Sequence, residues 1–152
     1  MSKKRIAVVG VGNILMGDEG FGVRVIQYLK EKSIPNNVSL IDAGTWFFNI
    51  AGSLTDFDRV IVVDIAKGGK DPGTIYRFYE KDIKSNSEES ISLHDFGVIE
   101  SLNLERLVRK MPDDIIFYGI EPERIELSMD LSDKLKPLVQ KVAEEIIKEV
   151  KN

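Results

Sequence analysis

The sequence predicts an α/β protein built on a mostly parallel sheet. Three observations carry this expectation. Ile6–Val9, Val60–Val63 and Ile115–Tyr118 are compact, strongly apolar runs of the kind buried on both faces of a sheet. Helix-patterned stretches separate the first three strands, giving β-α-β-α-β and right-handed crossovers. The alternation then breaks once, at a glycine-rich connection too short to cross over.

Taken in order, Ile6–Val9 ends at Gly10, and a loop over Val11–Gly20 leads into a helix over Phe21–Glu31. Val23, Val25, Ile26 and Leu29 share one face of that helix. Val38–Ile41 is the second strand, followed by Asp42-Ala43-Gly44-Thr45. Trp46–Leu54 is apolar on most sides and is expected to be a short buried helix, with Trp46, Phe47 and Phe48 in the core rather than at an interface. Val60–Val63 ends at Asp64, and only Ile65–Gly73 separates it from a fourth strand at Thr74–Tyr79. Lys67-Gly68-Gly69-Lys70-Asp71-Pro72-Gly73 cannot be a crossover helix, and a parallel connection takes roughly ten to twelve residues or more. The fourth strand is therefore expected to run antiparallel, at or near an edge. Lys81–Ser92, polar and serine-rich, reads as a mobile loop. A helix over Phe96–Lys110 ends at Met111-Pro112. The fifth strand, Ile115–Tyr118, is closed by Gly119-Ile120-Glu121-Pro122, and a last helix spans Ser132–Lys151 with Ser132 as its N-cap.

Composition narrows the chemistry. A length of 152 residues fits one domain, 1–152, with enough burial for its own core. The absence of cysteine excludes disulfides, thiolate nucleophiles and sulfur-built metal sites. A single histidine, His94, excludes sites needing two imidazoles. A formal net charge of -4 argues against nucleic-acid binding. Met1–Arg5 runs straight into an apolar strand without an apolar h-region, and no run approaches a membrane span, so a cytoplasmic, soluble protein is expected.

The first strand opens into Gly10-Val11-Gly12-Asn13-Ile14-Leu15-Met16-Gly17-Asp18-Glu19-Gly20-Phe21-Gly22. A dinucleotide fingerprint would need glycine where Leu15 stands, and Asp18 and Glu19 would repel a pyrophosphate at the helix start. In the structural alternative, Asp18 caps the helix and Glu19 is solvated. Asp42 and Asp64 each end a strand, on the side where open α/β sheets bind ligands. With the second and third strands flanking the first, Glu19, Asp42 and Asp64 would share one rim and call for a cation, protons or a basic partner. Singly, each aspartate suits a helix or loop cap. His94, in Ser92-Leu93-His94-Asp95-Phe96-Gly97, is either structural or, with two carboxylates, part of a site for nickel, manganese or zinc. No G-x-S-x-G elbow is present.

Together these residues resemble the hydrogenase maturation proteases, whose pattern is approximately G-x-G-N-x-L-x-x-D-[DE]-G-x-G. Gly10–Gly22 fits it throughout, and Asp42-Ala43-Gly44-Thr45, Asp64, the His94 segment and Gly119-Ile120-Glu121-Pro122-Glu123 follow in the family's order. Where family members often carry proline and glutamine around the histidine, this chain has Leu93 and Asp95. The resemblance implies a three-layer α/β/α sandwich with a mostly parallel five-stranded sheet of order 2-1-3-5-4, strand 4 antiparallel. It also implies an endopeptidase that removes the C-terminal extension of a nickel–iron hydrogenase large-subunit precursor. The metal trio would be Glu19, Asp64 and His94, with Asp42 a catalytic acid. Nickel would come with the substrate, the enzyme being metal-free as isolated and zinc or cadmium serving as surrogates. A nucleotide- or small-ligand-binding α/β module and a non-catalytic nickel-handling maturation partner are the alternatives.

Overall fold

The structure is a computed structural model that describes residues 3–82, 92–93 and 97–152. In chain order the elements are β1 Ile6–Val11, α1 Phe21–Lys30, β2 Val38–Gly44, α2 Phe47–Ile50, β3 Arg59–Lys67, β4 Ile75–Tyr79, β5 Ser92–Leu93, α3 Val98–Arg106, β6 Asp114–Ile120 and α4 Lys136–Val150. Short 3-10 turns span Gly17–Gly20, Ala51–Asp56 and Glu80–Asp82. The sheet runs β2-β1-β3-β6-β4, with the two-residue β5 beside β3. Its pairings are parallel except β4 with β6 and β5 with β3. Over the five longer strands this is the order 2-1-3-5-4, the fourth reversed and at an edge as the short connection requires.

Side-chain alternation along the central strands builds two cores. Ile6, Val8, Ile61, Val63, Ile65, Ile116 and Ile120 pack against α1 and α4. Ala7, Val9, Val60, Val62, Ile115 and Phe117 pack against Phe47, Leu54 and the α3 residues Val98 and Leu102. The result is the three-layer α/β/α sandwich. Helix α1 lies close to the sheet because Gly22 faces the ends of β1 and β3. A Cβ there would stand 2.2 Å from the Val63 carbonyl oxygen and 2.6 Å from that of Val11, so only glycine fits.

Edge strand β4 is tied down by a polar network. Arg77 donates to both carboxylate oxygens of Glu149 on α4, and the Tyr118 hydroxyl donates to the same carboxylate. The guanidinium also lies over the rings of Tyr79 and Tyr118, 5.2 and 5.9 Å from their centroids.

Several expectations are corrected. Trp46 and Phe48 are 66% and 64% exposed, and only Phe47 enters the core. The segment makes one α turn and then a 3-10 turn, and its inward face is Phe47, Ala51 and Leu54. Residues 46 and 48 fall off that i, i+4, i+7 stripe. Ser132 does not cap α4, which begins at Lys136 with Pro137 in its first turn; its hydroxyl is taken by Asp18. Helix α3 starts after Gly97 and stops at Arg106, four residues short of Lys110. Residues 83–91 of the expected polar loop lie outside the described residues. Among the described residues no helix is long and apolar enough to cross a membrane.

Candidate active site

Asp42 and Asp64 lie at the carboxyl ends of β2 and β3, which flank β1, and Glu19 lies in the turn seated on β1 itself. Gly12, with φ +138°, faces the Glu19 carbonyl so closely that a Cβ would lie 1.9 Å from its oxygen. This approach sets the Gly17–Gly20 turn on the end of β1, and the turn also packs against β3. Glu19 is half-buried there.

Asp18 makes the turn rigid. It makes no helix-cap hydrogen bond. It is fully buried, and both of its oxygens accept hydrogen bonds from a segment more than a hundred residues away. Oδ2 accepts from the Glu123 and Arg124 amides at 2.9 and 2.8 Å and from the Ser132 hydroxyl at 2.9 Å, while Oδ1 accepts from the Ser132 amide at 2.7 Å. Hydrogen bonds to a charged acceptor are the stronger kind, each contributing about 1.5–3 kcal/mol. Asp18 thus holds its neighbour Glu19 in place through the 123–132 segment, a role hidden in sequence because the donors are distant amides.

Asp64 is buried, and its Oδ1 accepts the Ile65 amide at 2.7 Å. Strand alternation puts it on the face of Val60 and Val62, toward the α2/α3 layer. Asp42 is exposed, and its Oδ1 accepts the Gly44 amide at 3.0 Å. It shares the face of Leu40, toward α1. It is paired with Gly10, as Val63 is from the other side. Asp42 and Asp64 are therefore two strand spacings apart, roughly 10 Å, on opposite faces of the rim. Among the described residues, no three His, Asp or Glu side chains gather as a metal-holding group. His94 lies outside the described residues. Its predecessor Leu93, however, pairs with Ala66, two residues beyond Asp64 on β3.

The loop leaving β3 is fixed by a residue the sequence marks only as a strand end. Glu121 Oε1 accepts from the Gly68 amide at 2.8 Å, the Lys70 amide at 3.3 Å and the Tyr76 hydroxyl at 2.5 Å. Burial pushes its carboxyl up, but the Tyr76 hydroxyl and the loop amides outweigh that and hold it below the ordinary glutamate value. Glu149 follows the same pattern: burial raises it, and Arg77 and Tyr118 more than reverse the effect. Carboxylates lowered on folding add stability above the ordinary value, roughly 4.3, and lose it as pH falls through their folded values. The melting temperature is expected to hold from neutrality down to about pH 5 and fall below it. Glu121→Gln should flatten part of that fall, measured by calorimetry across the acid range.

Residues 23–149 match the sequence profile of the hydrogenase maturation proteases. The chain belongs to the hydrogenase maturation protease family. It is 29% identical over 145 residues to the hydrogenase 2 maturation protease of Escherichia coli, covering 94% of this chain and 88% of that one. It is 32% identical over 144 residues to the hydrogenase expression/formation protein HupD of Bradyrhizobium diazoefficiens, covering 93% and 72%. Among solved structures, the hydrogenase maturating endopeptidase HybD from E. coli matches with a TM-score of 0.83 at 25% identity over 97% of this chain and 92% of that one. The NiFe hydrogenase maturation protease HybD from Thermococcus kodakarensis matches with a TM-score of 0.78 at 30% identity over 96% and 99%. The chain is accordingly a hydrogenase maturation endopeptidase, which sets aside the nucleotide-binding and non-catalytic alternatives.

Proposed function

We propose that this hydrogenase maturation protease removes the C-terminal extension of a nickel-loaded nickel–iron hydrogenase large-subunit precursor in the cytoplasm, reading the substrate's nickel through Glu19, Asp64 and His94. One observation carries the reading: the residue before His94 is bonded into the strand bearing Asp64, and the turn bearing Glu19 packs on that same strand. Two carboxylates and an imidazole suit a first-row divalent ion whose other positions are filled by its own protein. Gripping that ion fixes the scissile peptide by proximity.

In this reading Asp42 serves the hydrolysis. The Gly44 amide holds one of its oxygens and so its side-chain direction. The carboxylate takes a proton from water, the water oxygen attacks the scissile carbonyl carbon, the C–N bond breaks, and the proton passes to the departing amine. Gly10 of β1 pairs with Asp42 on one side and with Val63, the neighbour of Asp64, on the other, so the two carboxylates flank the end of one strand.

The test incubates the protein with nickel-loaded and nickel-free precursor and follows tail release by mass spectrometry. Release from the loaded precursor alone is expected. Equal rates from both would overturn nickel recognition.

A further inference from the structure

A cleft of about 330 Å³ opens between the two turns that follow β1 and β2, lined by Gly12, Ile14, Leu15, Val23, Asp42 and Trp46 among others. This is the low end of ligand-binding clefts, which run roughly 300–1,000 Å³, and it suits one or two side chains rather than a cofactor. Asn13 builds one wall: its Oδ1 accepts the Leu15 amide at 2.9 Å and its carbonyl accepts the Met16 amide at 3.1 Å, so the chain doubles back and pushes Leu15 outward. On the other wall the Trp46 amide bonds the Ala43 carbonyl at 2.7 Å, and the Gly12 amide bonds the Gly44 carbonyl at 2.8 Å, which joins the two turns. Leu15 is 50% and Trp46 66% exposed. Single exposed apolar residues are ordinary, but two flanking one cleft beside a carboxylate form a contact surface, and a half-exposed tryptophan is a favoured anchor in such surfaces.

We infer that this cleft is a specificity subsite, receiving an apolar side chain of the precursor peptide beside the scissile bond, between Leu15 and Trp46. The inference rests on the proposed function only in taking the rim at Asp42 as the place of hydrolysis. An endopeptidase must hold extended chain across its cleaving group, and this cleft contains that group in its wall. Among the described residues, Asp42 is the only charged side chain lining it. An acidic side chain would be repelled by Asp42, and a basic one would pair with the carboxylate and remove it from work on water. An apolar side chain leaves it free to act.

Trp46 is the chain's single tryptophan, so its emission reports occupancy. Titration of the wild-type protein with a synthetic peptide spanning the precursor's cleavage junction is expected to shift that emission to shorter wavelength. Replacing the peptide's apolar flanking residue by serine should weaken binding about tenfold. With whole nickel-loaded precursor, Trp46→Ala and Leu15→Ala are each expected to raise KM about tenfold and change kcat little, the pattern of a lost binding contact. Serine at the precursor's flanking position should then cost the variants less than it costs the wild type. Both side chains are at least half exposed, so their truncation leaves the core intact. An unshifted emission at millimolar peptide, a requirement for a basic flanking residue, or wild-type KM in both variants would overturn the subsite. Failure of the wild type to cleave any precursor would instead defeat the proposed function, and the emission titration would still decide the cleft.

Discussion

Exchanging Glu19 for glutamine or His94 for alanine is expected to slow tail release from nickel-loaded precursor by about a hundredfold or more. The melting temperature should move by no more than a few degrees. Glu19 sits on a turn whose shape is held by Asp18 and by the glycine contact beneath it, so glutamine keeps the backbone and removes the negative charge and one of the two oxygens that would meet the ion. The expected loss is large because, in the proposed function, the ion would position the peptide, and a displacement of roughly 1 Å at the reacting atoms is enough for a hundredfold. Single-turnover mass spectrometry with each variant measures it, and normal processing by His94→Ala would end the metal-reading proposal. Imidazole binds metal only when neutral, so precursor affinity should also fall as pH drops through the histidine's titration in the wild type and not in His94→Ala.

Asp18→Ala is expected to be the most destabilising single exchange at the rim, by at least about 1–3 kcal/mol for each buried donor left unsatisfied, read as a lowered urea midpoint. Three amides and a hydroxyl converge on this one carboxylate, and its removal leaves them without their acceptor in a buried place. Asparagine is no substitute. Both carboxylate oxygens receive donors, so whichever way the amide is turned its NH2 group faces another N–H. Asp18→Asn is therefore expected to fall nearer to alanine than to wild type, whereas Ser132→Ala, which deletes one hydroxyl donor and keeps the backbone bond, should cost only about 1 kcal/mol.

Much of the frame was legible because it rests on local pattern. The β-branched runs became the central strands, and the nine residues Ile65–Gly73 were too few for a crossover, so β4 had to reverse. The sheet order and the candidate trio came through the family motif instead, since spacing cannot say which strand inserts between two others. Misreadings fell where distant partners decide. Ser132 has the chemistry of a helix cap, yet Asp18 claims its hydroxyl from the other end of the chain. Trp46 and Phe48 have the composition of core residues, but one short turn can aim only one side in. Glu121 looked like punctuation after a strand, while its work is with the amides of Gly68 and Lys70 across the sheet.

The order of the sheet bears on how the chain comes off the ribosome. β6 inserts between β3 and β4, so the edge strand has no neighbour until the polypeptide has been made past Ile120. The Glu19 turn waits longer still, since its lock requires residues through Ser132. A nascent chain can pair β1, β2 and β3 early, but the turn that carries Glu19 is locked only once Ser132 has been made.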